Sequence, residues 1–128
     1  MSESPLAAIY RDYIACLNRR DWDALGRWVA EDVVHNGRRL GLGGYRAMLE
    51  QDASQIPDLH FDVRQLVVDR HHVAARLEFD CMPKGAFMGL QVNGRRIAFH
   101  EHVFYQFGDD RIREVWSVID KAAIEAQL

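Results

Sequence analysis

The stretch Ile97-Ala98-Phe99-His100-Glu101-His102-Val103-Phe104-Tyr105-Gln106-Phe107 decides the fold, together with Gly108-Asp109-Asp110-Arg111 and the run from Ile112 to Asp120. The first run is rich in aromatic and branched residues, which favour strand. The Gly-Asp-Asp-Arg segment carries turn chemistry, and Ile112 to Ile119 returns as a second strand. Side chains alternate between faces along a strand. Ile112, Glu114, Trp116, Val118 and Asp120 therefore share one face of the return strand, and Arg113, Val115, Ser117 and Ile119 share the other. An acid on one face with a tryptophan and aliphatic residues is the setting that raises a carboxylate's proton affinity. A two-residue turn at Asp109-Asp110 places Val103 across from Trp116, Glu101 across from Val118 and Phe99 across from Asp120.

Outward from the hairpin, the rest of the chain supplies the layer that such a sheet needs. Ser4-Pro5 reads as a helix start, and Leu6, Ile9, Tyr10, Tyr13, Ile14 and Leu17 recur at helical steps. Asp21 opens a shorter helix bearing Trp22, Leu25, Trp28 and Val29. Asp32 to Gly37 reads as a short strand entering a loop. Leu40 to Gly44 is a glycine-rich turn before a third helix with Tyr45, Met48 and Leu49 inward. It lacks the spacing of a phosphate or dinucleotide loop. The period then becomes two, over Leu59–Val68 and Val73–Cys81, with a turn at Asp69-Arg70-His71. A loop from Met82 to Asn93 precedes the hairpin and is expected to border the cavity mouth, and Ala122 to Leu128 forms a helical tail. Helices first and a meander afterwards predict an α+β fold: a cone-shaped, curved antiparallel β-sheet (a half-barrel) wrapped around N-terminal helices, with an internal cavity.

Composition narrows the function classes. The 128 residues, 48% of them hydrophobic, make one domain over residues 1–128. A net charge of -3 gives no basis for nucleic-acid binding, and no apolar run spans a membrane. Cys16 and Cys81 form no CxxC pattern. Without a leader in Met1 to Ala8 the chain reads as cytoplasmic. His100-Xaa-His102 has the alternation of a metal pair, but no third ligand stands at a defined offset, so no metal is expected.

Several segments, in order, resemble the SnoaL-like polyketide cyclase family: Val33-Val34-His35-Asn36-Gly37, Gly41 with Gly44-Tyr45, Ile56-Pro57-Asp58-Leu59-Xaa-Phe61 and Val73-Ala74-Ala75-Arg76. Gly85-Xaa-Phe87-Xaa-Gly89, Asn93-Gly94-Arg95 and Asp109-Asp110-Arg111-Ile112-Xaa-Glu114-Xaa-Trp116 through Asp120 continue the series. The resemblance implies the cone-shaped barrel shared with nuclear transport factor two, ketosteroid isomerase and scytalone dehydratase. It also implies cofactor-free aldol closure, with the aspartate matching Asp120 as general acid/base. This chain departs from the family where Cys81-Met82-Pro83 replaces a Gly-Thr-His stretch, which removes a polar group from the substrate's surroundings.

The expected catalytic set is Asp120, His35 and Glu101. Asp120 reads either as the base or as the N-cap of the tail helix. Glu101 reads either as a second cavity acid or as the ion-pair partner of an arginine such as Arg76. His35 reads either as a group at the mouth that hydrogen-bonds a carbonyl or as a surface loop histidine. Trp116, Tyr13, Trp28, Met48, Phe61, Phe87, Val103 and Val118 form the expected apolar binding wall. The expected ligand is a small apolar carbonyl compound. Cyclisation is one reading, another isomerase, hydratase or hydrolase reaction is a second, and a non-catalytic ligand holder is a third. Because the hairpin is apolar on both faces, a homodimer through the outer sheet face is expected.

Overall fold

In the computed structural model, which describes residues 5–128, helix α1 (Pro5–Arg19) opens the chain; the serine cap at position 4 lies outside the described residues. A 3-10 helix (Trp22–Arg27) leads into β1 (Val29–His35) and β2 (Arg38–Arg39). Helix α2 (Gly41–Gln55) is followed by β3 (Asp62–Val68), β4 (His72–Cys81) and a small hairpin of β5 (Ala86–Phe87) and β6 (Leu90–Gln91). Strands β7 (Ile97–Gly108) and β8 (Arg111–Ile119) and helix α3 (Lys121–Glu125) complete the chain. Gly41 to Gly44, expected as a turn, already form the first turn of α2.

The large sheet runs β2-β1-β8-β7-β4-β3. Its concave face packs on α1 and α2 through one apolar core that includes Tyr10, Tyr13, Leu77, Phe99 and Val115. At about 25 cal/mol per Å² of apolar surface, this burial is the main driving force of the fold. The fold is thus α+β with a curved, unclosed sheet, as expected, but the sheet is mixed and not purely antiparallel. Strand β1 pairs β8 in parallel, with Val34 beside Glu114 and His35 beside Val115. That pairing sets the end of β1 beside the middle of β8. No helix among the described residues is long and apolar enough to cross a membrane.

The β7–β8 hairpin carries one irregularity with large consequences. Its turn is the expected two-residue one, with Asp109 and Asp110 both at positive φ (52° and 60°) and Gly108 paired with Arg111. Phe107 faces Ile112, but Gln106 faces Glu114, so Arg113 is an extra residue in β8. This β-bulge shifts all later pairs by one. Val103 faces Ser117 and Glu101 faces Ile119, whereas unbroken pairing would set them opposite Trp116 and Val118. A slip of one residue exchanges the two faces of a strand. Val115, Ser117 and Ile119 therefore point into the cone, while Trp116 and Val118 stand on the outer face, 50% and 69% exposed. Asp120 is carried outside with them.

Candidate active site

Between the concave sheet and the two long helices lies a cavity of about 300 Å³. Strand alternation delivers Glu101, Val103 and Tyr105 from β7, and Val115, Ser117 and Ile119 from β8. Helix α1 contributes Tyr13 and Leu17; α2 contributes Tyr45, Met48, Leu49 and Asp52 at three- and four-residue steps on its inner face. The end of β1 places His35 and Asn36 at the rim, and Met88 reaches it from the β5–β6 turn. Beyond Glu101 and Asp52 the cavity continues into an annex of about 50 Å³, lined mainly by phenylalanine and aliphatic side chains.

The two carboxylates share this interior for want of solvent, and both are shifted upward. Burial raises Asp52 from 3.8 to about 6, and among the described residues no cation or hydrogen-bond donor offsets it. Burial also raises Glu101 above the usual carboxylate range; the Ser117 hydroxyl, which donates to Glu101 Oε2, pulls the other way, and the charge of Asp52 adds to the rise. Two acids facing one low-dielectric space resist ionising together. Burial and the nearby Arg38 lower His35, so its imidazole is neutral near pH 7 and offers one N–H donor.

Three tyrosines, Tyr13, Tyr45 and Tyr105, line the cavity, and Tyr10 packs behind them. Tyr13 and Tyr45 hydroxyls lie 2.7 Å apart, and the Tyr10 hydroxyl donates to that of Tyr105 at 3.3 Å. Burial holds all four in the protonated form. One hydrogen bond between two hydroxyls uses one of two protons. Each pair therefore keeps a second O–H, and Tyr13, Tyr45 and Tyr105 border the cavity where that proton can be offered to a ligand.

A backbone device fixes the position of Ser117. The Asn36 side-chain amide donates to the Ser117 carbonyl at 3.2 Å, and its oxygen accepts from the Ser117 amide at 2.8 Å. The Asn36 backbone N–H donates to the Val115 carbonyl at 2.8 Å, so the side chain continues the parallel ladder past the end of β1. Asn36 and Gly37 both take positive φ (49° and 78°), which turns the chain sharply enough to present that amide.

Of the expected site residues, the structure brings Glu101, His35, Tyr13, Met48, Phe61 and Val103 to the main cavity and Phe87 to the annex. It does not place Asp120 there. The Asp120 side chain is exposed and accepts from the Ala123 amide at 3.1 Å, capping α3. Trp116 and Val118 are on the outer face because of the Arg113 bulge. Trp28 packs against the core from the 3-10 segment and does not border the cavity; its carbonyl accepts from the Ile112 amide at 2.7 Å. Among the described residues Glu101 meets Ser117 and pairs with no arginine.

Asp52, Tyr45, Ser117 and Asn36 are site residues that sequence reasoning misses. A signal for Asp52 is present, since it follows Met48 by four and Leu49 by three, which sets a charged residue on an otherwise apolar stripe. Ser117 has no such signal without the bulge.

Known proteins share this fold. Residues 7–128 match the profile of the family described as SnoaL-like polyketide cyclase. A SnoaL-like polyketide cyclase from Agrobacterium tumefaciens is 54% identical, with 98% of each chain covered and a TM-score of 0.96. TsrD from Streptomyces laurentii is 22% identical (99% and 96% covered, TM-score 0.85), and IdmH from Streptomyces antibioticus is 20% identical (97% and 98% covered, TM-score 0.83). At those identities the likeness is one of fold. No curated protein matches the chain.

Proposed function

The chain belongs to the SnoaL-like polyketide cyclase family, and we propose that it moves a proton next to a carbonyl of a small, largely apolar compound, closing a ring by intramolecular aldol addition without a cofactor. The observation that carries this reading is the pair of upward-shifted carboxylates, Asp52 and Glu101, presented to one cavity by a helix and a strand. Above about pH 6 Asp52 is ionised and serves as the base. It takes a proton from the carbon beside the carbonyl, and the resulting enolate oxygen accepts from the spare tyrosine hydroxyl and from neutral His35. The enolate carbon bonds to a second carbonyl of the same molecule. Glu101, which burial and Asp52 bias toward the protonated form, delivers its proton to the new alkoxide. The reaction is a net isomerisation, so the proton on Asp52 returns to Glu101 and nothing else is consumed. Asp120 is assigned to the helix cap.

The test uses a carbon acid that needs no pathway. The protein should catalyse exchange of the C3 proton of 3-methylpentane-2,4-dione for deuterium, with a rate rising through an inflexion near pH 6. Asp52→Asn should lower that rate about a hundredfold or more while binding changes little. Binding without exchange in the parent protein would favour a ligand holder over an enzyme.

We also propose that the chain pairs with a second copy through the outer sheet face. Val67, Ala74, Phe104 and Trp116 lie directly side by side across four strands there, with Phe104 60% and Trp116 50% exposed. An apolar row of this kind is stable in water when covered. Sedimentation should give a dimer at micromolar concentration and a monomer for Phe104→Lys; a monomeric parent would contradict the proposal.

A further inference from the structure

We infer that the phenylalanine annex behind the acid pair seats an apolar arm of the substrate. The molecule acted on is then a carbonyl compound carrying a short alkyl chain or a single ring on, or beside, the carbon that loses its proton. The inference rests on reading Asp52 and Glu101 as the proton-transfer groups, and it adds what kind of molecule they meet.

The annex is walled by Ile56, Leu59, Phe61, Phe79, Phe87 and Phe99. Among the described residues its only ionisable neighbours are Asp52 and Glu101, which also border the main cavity, as do Phe61 and Ile119. The two spaces therefore meet at the acids. On the far side of the acids stand the hydrogen-bonding groups: His35, Asn36 and the tyrosine hydroxyls. A ligand lying across the acid pair thus has its carbonyl end among donors and its other end among rings.

The walls are built to keep this space open. Phe61 meets Phe79 edge to face at 5.4 Å, Phe79 stacks on Phe99 at 5.2 Å, and Phe87 tilts against Phe99 at 5.6 Å. These rings come from separate elements that are fastened to one another. Phe87 lies on the β5–β6 hairpin, which the end of α2 holds twice: the Gln55 amide donates to the Ala86 carbonyl, and the Lys84 amide donates to the Gln55 carbonyl at 2.9 Å. A water needs about 10–15 Å³ of such volume and two or more polar partners, so the roughly 50 Å³ here has room for several atoms but little to hold water in its apolar part. Unfilled, the rings forgo dispersion contacts on that side. A hydrocarbon arm restores them, and it also displaces water from around the acids, which sharpens their raised proton affinity.

Binding of a homologous series tests this without requiring turnover. The probes are 3-methyl-, 3-ethyl-, 3-propyl- and 3-butylpentane-2,4-dione, titrated against Asp52→Asn protein and against the parent. Affinity should rise about fourfold per added methylene until the annex is full, and chain protons should show NOEs to the Ile56 and Leu59 methyl groups. Phe99→Trp, which fills the annex, should flatten the series. Phe87→Leu, which enlarges it, should move the plateau to a longer chain, so that a folding failure of either variant leaves the other to decide. A flat series in the parent, or NOEs only to Met88 and His35 at the rim, would overturn the inference. If the series climbs in both proteins but Asp52→Asn exchanges C3 protons at the parental rate, the annex stands and the assignment of Asp52 falls.

Discussion

Glu101 and Asp120 are two acids on one hairpin, and the structure gives them opposite surroundings. Glu101 faces Ile119 across the sheet and looks into the cone beside Asp52 and Ser117. Asp120, one residue beyond Ile119, is in water and caps α3. Nothing in either residue's chemistry sets them apart. The extra residue Arg113 does so, by moving β8 along by one and exchanging its faces. Local chemistry thus nominates an acid, and register decides which acid is used.

The strongest way to break the comparison is to move the register once more. Inserting one alanine between Glu114 and Val115 while keeping the Asp109-Asp110 turn would force Trp116 and Val118 inward and Ser117 and Ile119 outward. The expected loss exceeds about 4 kcal/mol, a size reserved for core disruption, and urea unfolding measures it. An insertion variant as stable as the parent would mean that β8 tolerates either register.

Asp52 gives the next largest effect, with the opposite sign. An acid whose folded pKa stands above its free value binds more protons in the folded state. The resulting loss of stability grows as pH rises from about 4 to about 6 and is complete above that. With a shift from 3.8 to about 6, Asp52→Asn should stabilise the fold by up to about 3 kcal/mol at pH 7 and by little at pH 3.5. Thermal unfolding at the two pH values checks this. Equal effects at both would place Asp52 outside a desolvated site.

The smallest effect belongs to the exposed acid. Asp120→Ala removes the bond to the Ala123 amide and should cost about 1 kcal/mol of stability in urea unfolding. A loss of several kcal/mol would contradict its assignment to an exposed cap.

The same division separates what is legible in the sequence from what is hidden. The α1 stripe, the alternation of β4 and β7 and the Asp109-Asp110 turn are legible because each depends on local spacing, and they suffice to place Glu101, Tyr13 and Val103 on the cavity. The β8 faces are not, since Ile112, Val115, Trp116, Val118 and Ile119 are apolar at both parities, and alternation alone cannot report a bulge. The parallel pairing of β1 with β8 is long-range and leaves no local mark, so the Asn36–Ser117 link and the support it gives to Glu101 emerge only in three dimensions. Asp52 is a legible residue with an ambiguous signal: a charged group at helical spacing from Met48 and Leu49 marks a lined cavity as readily as an interrupted stripe.

The central claim is that proton transfer belongs to the acids inside the cone and not to the one at the end of the hairpin. Exchange of the C3 proton of 3-methylpentane-2,4-dione at pH 7.5, measured side by side for Asp52→Asn and Asp120→Asn, tests it most directly. The expected result is a loss of about a hundredfold or more for Asp52→Asn and a rate within about twofold of the parent for Asp120→Asn, whose carboxylate the structure keeps out of the cavity. A hundredfold loss for Asp120→Asn with exchange retained by Asp52→Asn would contradict it.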